Sequence, residues 1–187
     1  MKLCTKCELC ETSICNNLEG KQGKNAKLAI ILDYPNLDEN RKDKMGYGKT
    51  YELLRWNLKR MSIDLDSIYI TYALKCYKPK NKLKKKPERL QAIKECRSNE
   101  RIPDSCSVIF TVGSIACESY VRGKQLAAVE GTRIRGERTT FVAYSLGYCL
   151  KKPKETARFY RLLWTACLAA GLEPKYNPDL APFDYEL

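Results

Sequence analysis

At 187 residues, 44% of them hydrophobic, the chain has room for one domain built on a sheet covered by helices. No apolar run approaches the roughly 18 residues that span a membrane. The N-terminus Met1-Lys2-Leu3-Cys4 has no signal-peptide core, so a cytoplasmic protein without membrane contact is expected. A net charge of +12 points to a polyanionic partner such as nucleic acid. The complete absence of histidine excludes His-ligated zinc and any histidine general base.

Residues 1–26 form a cysteine-rich lead-in. Lys27 to Asp33 (KLAIILD) is an apolar run that ends at Tyr34-Pro35-Asn36 and predicts a buried strand. Leu54, Leu58 and Met61 stand at helical spacing within 49–61. Ser67 to Leu74 is rich in β-formers and predicts a second strand. A helix over 87–98 opens at Pro87. Ser107 to Val112 is a third strand, from which Gly113 turns into a helix at 114–122. Thr139 to Ser145 is the fourth strand. A helix over 154–170 carries Phe159, Leu163, Ala166 and Ala170 on one face, with Gly171 as its C-cap. Alternating strands and helices predict a three-layer α/β/α sandwich on a mostly parallel sheet. Ligands of such sheets sit beyond the carboxyl ends of the strands, here the loops after Asp33, Leu74 and Ser145. Residues 177–187 read as an extended, exposed tail after a domain of 1–176, suited at most to docking a partner. Its Asp184-x-Glu186 lacks the rest of a metal-dependent nuclease motif.

Ten cysteines in a chain expected to be cytosolic point to metal more than to disulfides. Cys4 and Cys7 are a tight pair at ligand spacing. Two sets of four are possible: Cys4 and Cys7 with the distant Cys76 and Cys96, or the local run Cys4, Cys7, Cys10 and Cys15. Four thiolates suit a [4Fe–4S] cluster or tetrahedral zinc. Cys117 and Cys167 fall on predicted helices and read as small buried hydrophobes.

The order of these features resembles the family-4 uracil-DNA glycosylases, from Cys4 to about Gly171. That family opens on C-x2-C-x-L, matched by Cys4-Thr5-Lys6-Cys7-Glu8-Leu9. Its first strand ends in G-E-A-P-G followed by acids; here the chain reads Leu32-Asp33-Tyr34-Pro35-Asn36, then Asp38 and Glu39. Its second strand ends T-N-V-V-K-C-R-P-P; here Thr71 to Pro79 read TYALKCYKP. Val108 to Ala116 match its third strand and glycine turn, and Arg135-Gly136 its pair before the last strand. Each match alone is weak; five in order are specific. The resemblance implies a four-stranded parallel sheet. It also selects Cys4, Cys7, Cys76 and Cys96 as ligands of a [4Fe–4S] cluster, zinc being the alternative.

The same resemblance locates a degenerate base pocket at Tyr34, Gly46, Tyr47, Tyr72 and Ser145. Tyr72 stands where the family has a uracil-reading amide, Gly46 where it has a stacking ring, and Ser145 where it has a histidine. Asp33 and Glu39 align with the family's acids and are the candidate catalytic groups. Loss of amide, ring and histidine together predicts a DNA-binding protein without efficient uracil excision, suited to a phage-type replication or repair assembly with a DNA polymerase or similar partner. A glycosylase for a different or modified base is a second reading, and a partner-binding structural protein a third. Lys75 to Lys86 carry seven lysines, with no acid between Ser67 and Pro87. Lys75, Lys78, Lys80, Lys82, Lys84, Lys85 and Lys86 are expected to meet DNA phosphates, with Tyr77 stacking on a base.

Overall fold

The computed structural model describes residues 4–14, 17–121 and 124–185. Among the described residues six strands form one mixed sheet: β1 (Lys21–Gln22), β2 (Leu28–Leu32), β3 (Ile68–Tyr72), β4 (Val108–Val112), β5 (Arg133–Ile134) and β6 (Thr139–Ala143), in the order β1-β3-β2-β4-β6-β5. The four long strands are the four expected, each starting or ending within two residues of its predicted bound, and they are mutually parallel. The four-stranded expectation is corrected at the margins. β1 and β5 add two-residue antiparallel edges, too short to show a period in the sequence.

β2, β3 and β4 are buried along their whole length, which is why they read as unbroken apolar runs. One face of the sheet, including Leu28, Ile30, Ile70 and Phe110, packs with α2 (Lys49–Arg60), α6 (Leu146–Lys151) and α7 (Lys154–Ala169). The opposite face, including Ala29, Ile31 and Ile109, packs with α3 (Lys86–Ser98) and α4 (Ser114–Tyr120). Phe110 of β4 meets Phe159 of α7 edge to face at 5.5 Å, an arrangement that adds about 1 kcal/mol to the burial itself. Cys117 and Cys167 are fully buried, as expected of small hydrophobes. The short helices α1 (Leu37–Lys42), α5 (Leu126–Val129) and α6 are additions to the predicted elements.

The chain leaves β2 for β3 on one side and reaches β4 on the other, so the topology opens a crevice beyond β2 and β4. The tail does not stand free. Up to Tyr185 it runs along α2: Trp56 Nε1 donates to Ala181 O at 2.8 Å and Arg60 to Leu180 O at 2.7 Å. Phe183 packs edge to face on Trp56, and Lys49 pairs with Asp184 at 3.3 Å. No helix among the described residues is long and apolar enough to cross a membrane.

Candidate functional site

A cleft of about 240 Å³ opens beyond the carboxyl ends of the strands. It brings together Asp33, Tyr34, Glu39, Tyr72 and Ser145, five positions singled out in the sequence and spread over 112 residues. Gly46 and Tyr47 border it: the Gly46 N–H donates to Glu39 Oε1 at 2.9 Å, and Tyr47 O accepts from Asn36 Nδ2 at 2.7 Å.

Asp33 follows β2 and caps α4. Its Oδ1 accepts the Ile115 and Ala116 N–H groups, each at 2.8 Å. Gly113, with φ of +107°, makes this possible, because a Cβ there would lie 2.2 Å from Asp33 Oδ2. Burial pushes the Asp33 carboxyl up to about 6, against the Ala116, Ile115 and Ser114 N–H groups that hold it down, with Glu118 raising it further.

Glu39 is buried and answers four groups. Oε2 accepts the Asn36 N–H at 2.9 Å in a reciprocal capping box at the start of α1. Oε1 accepts the Gly46 N–H and the Tyr72 hydroxyl, the latter at 2.5 Å, and the Tyr47 N–H also bonds it. Burial raises its carboxyl above the usual range, while these donors oppose the shift.

Tyr72 is 3% exposed and its hydroxyl faces Glu39, so the side chain fills the pocket floor. Gly46 carries no ring, but one lies beside it: Tyr51, on α2, has its Cε1 3.5 Å from where a Gly46 Cβ would be. Tyr51 lines the cleft and escaped the sequence reading, its spacing on α2 being that of an ordinary core residue. Ser145 caps α6, its Oγ accepting the Tyr148 N–H at 3.3 Å.

Beside the cleft, the cysteine lead-in lies over the chain that follows β3, with the Leu18 N–H donating to Lys75 O at 2.8 Å. Cys76 is buried, and Cys7 and Cys96 pack half-buried against the same apolar cluster, with Leu9, Leu74 and Leu83. Three of these sulfurs accept backbone N–H groups: Leu9 to Cys7, Asn17 to Cys76 at 3.4 Å, and Lys75 to Cys96. Burial pushes the Cys7 and Cys96 thiols up. Cys4 raises both further by its charge, Cys7 acts on Cys96, and Cys10 acts on Cys7 alone. Among the described residues no three His, Cys, Asp or Glu side chains converge as ligands of a single ion. Cys15 lies outside the described residues.

The lysine loop is anchored, not loose. Glu8 Oε1 accepts the Leu83 N–H at 2.7 Å, and Glu8 pairs with Lys82 at 3.1 Å. Lys78 lies 5.8 Å from the Tyr34 ring centre, at the cleft's edge, and Tyr77 is half-buried, its N–H donating to Ser13 Oγ. Lys80, Lys84, Lys85 and Lys86 are exposed. Lys75 is a correction to the phosphate-contacting set. It is 5% exposed, donates to Thr71 Oγ1 at 2.8 Å and forms an ion pair with the buried Glu100. Burial lowers its ammonium to about 8. Nothing in the local sequence marks Glu100 as its partner, because the pair is made across the sheet edge.

No protein-family model matches the chain.

Proposed function

We propose that this chain is a DNA-binding iron–sulfur protein on the three-layer plan of the uracil-DNA glycosylases, that it does not excise uracil, and that it serves a replication or repair assembly. The observation that carries the reading is the junction of the two loops. Cys7, Cys76 and Cys96 share one apolar cluster, and the lysine-rich segment between the last two is tied back by Glu8, next to Cys7. The donor set suits a cluster, since backbone N–H groups on sulfur favour the thiolate that a metal requires. Cys96 lies close enough to Cys7 and Cys4 for their charges to raise its thiol, as the distant ligand set requires. Cys4, Cys7, Cys76 and Cys96 would hold the [4Fe–4S] group, and its contribution when bound is to fix the ends of the lysine loop.

Lys80, Lys84, Lys85 and Lys86 then present charge to phosphates without reading sequence. Uracil excision is disfavoured because Tyr72 fills the floor of the cleft and directs its hydroxyl to Glu39. A glycosylase for another base is the second reading, favoured by the half-buried Asp33 lining the cleft with its carboxyl near 6.

Anaerobic purification should give a brown protein containing iron and sulfide; a colourless zinc protein overturns the cofactor. Alanine at Lys84, Lys85 and Lys86 together should weaken oligonucleotide binding and reduce the salt slope by about 3; unchanged binding overturns the role of the loop. Abasic product from uracil-bearing DNA refutes the silent cleft, and product from another base alone establishes the second reading.

A further inference from the structure

The cations of this chain are segregated by type. Lys75 to Lys86 hold seven lysines and no arginine. Between Lys94 and Lys151 there are six arginines and one lysine, Lys124. The structure gives that division a spatial meaning. A groove of about 710 Å³ lies where α3 and α4 end and β4 and β6 begin, and Arg97, Arg101 and Arg138 line it. Lys86 opens α3 and Arg97 stands near its close, so the helix separates the two cation groups by about 16 Å at 1.5 Å per residue. Val112, at the far end of β4 from the groove residue Ile109, lines the cleft instead.

The groove is built rather than merely charged. Arg97 donates to Ser119 O and its guanidinium lies 4.5 Å from the Tyr120 ring centre. Arg138 donates to Ile102 O at 3.4 Å and pairs with the exposed Asp104. Each guanidinium has five N–H donors, so both keep donors beyond these contacts. Arg101 is exposed, and its side chain makes no hydrogen bond or ion pair among the described residues; Arg135, which does not itself line the groove but stands between the lining residues Ile134 and Gly136, is exposed and uncommitted in the same way. Three acids share the lining: Glu100 faces inward to Lys75, Tyr69 and Thr71, so its charge is answered inside the fold, Asp104 is the partner of Arg138, and Glu137 is exposed at the rim.

From these observations we infer a second polyanion site: the arginine groove binds the phosphate backbone of a nucleic-acid segment separately from the lysine loop, so that one chain holds two segments at the two ends of α3. Arginine in place of lysine fits this, because a planar fork meets two phosphate oxygens at once while an ammonium acts as a point charge. The volume exceeds what one phosphate fills and suits an extended chain. The inference shares its ligand class with the proposed function and rests on different residues.

The test is a titration of the full chain with a single-stranded oligonucleotide of about ten nucleotides. The wild-type chain should bind two equivalents. Arg101→Glu with Arg135→Glu should retain one equivalent and weaken the other at least tenfold. Alanine at Lys80, Lys84, Lys85 and Lys86 should spare the equivalent that the arginine variant loses. Arg101→Lys with Arg135→Lys, which keeps the charge without the fork, should weaken the groove site by less than the reversal does. Both arginines are exposed and uncommitted, so the variants should fold. A wild-type chain that saturates at one equivalent, abolished by the lysine substitutions, overturns the groove and leaves the lysine loop standing. Two equivalents that survive in Arg101→Glu with Arg135→Glu also overturn it. A polyglutamate peptide of equal charge that displaces the oligonucleotide from the groove overturns the phosphate assignment. Loss of all binding in the arginine variant alone overturns the division into two sites, because the lysine loop would then hold no segment of its own.

Discussion

The cleft and the cysteine loop meet at β3: Tyr72 closes the strand in one and Cys76 follows it into the other. They treat their polar atoms differently. In the cleft, the carboxylates of Asp33 and Glu39 accept backbone N–H groups and a tyrosine hydroxyl, and the groups a ligand would need already face one another. In the cysteine loop, sulfurs accept N–H donors while burial holds the Cys7 and Cys96 thiols up. Donors aimed at sulfur become fully useful when a metal displaces the thiol protons. The cleft is thus satisfied by the chain itself, whereas the cysteine loop, on the proposed reading, is completed by a bound metal group. The difference teaches that a cleft at the carboxyl ends of the strands can have its polar groups turned inward on one another while a neighbouring loop aims backbone N–H groups at its sulfurs.

The comparison breaks first at the cysteines. Cys76→Ala should remove bound iron and sulfide almost completely, whereas Cys10→Ala should leave both, as measured by metal and sulfide content of anaerobically prepared protein. Retention of iron in Cys76→Ala would transfer the site to the local run. Next in size is Lys75→Ala. It strands the Glu100 carboxylate, and breaking one partner of a buried pair costs about 3–5 kcal/mol. Urea unfolding should register that loss, while oligonucleotide affinity of the folded protein should stay within twofold. A large affinity loss at unchanged stability would return Lys75 to the DNA-contacting set.

Gly113→Ala probes the cleft side. A methyl group 2.2 Å from Asp33 Oδ2, at a φ of +107°, should cost about 2–3 kcal/mol in the same unfolding experiment. Tyr72→Phe is smaller, about 1.5–3 kcal/mol for a buried hydrogen bond to a carboxylate. If Tyr72→Phe is neutral, Glu39 is held by its backbone donors alone.

The long strands were legible because each is buried on both faces and therefore apolar throughout. The two-residue edges were not, since two residues carry no period. Asp33, Glu39, Tyr72 and Ser145 were legible as a group only through motif order, and the cleft does gather them. What the sequence could not carry is direction. Whether Tyr72 offers its hydroxyl to a ligand or to Glu39 depends on a capping box at Asn36, 36 residues upstream. Lys75 looked like its loop neighbours because its neutraliser, Glu100, is 25 residues away. The tail looked exposed because Trp56 and Arg60, which hold it, belong to α2 and serve backbone carbonyls that any sequence would supply.

The finest distinction between the two regions lies in their response to pH. The Asp33 carboxyl is pushed up from its ordinary 3.8 to about 6, first by burial, so the folded chain binds its proton more tightly than the unfolded chain does. The stabilisation from this group is complete below about pH 4 and is lost as pH rises through 6. Glu39 is raised by burial as well and acts with the same sign. Asp33→Asn keeps an amide oxygen to accept the Ile115 and Ala116 N–H groups and removes the titration. The variant should therefore lose part of the parent's fall in stability between pH 4.5 and pH 7, the remainder belonging to Glu39 and Glu100, whose carboxyls burial also raises, the latter to about 7. A parent slope that survives undiminished in Asp33→Asn would take the proton away from Asp33 and assign it to Glu39 or Glu100, which Glu100→Gln then tells apart.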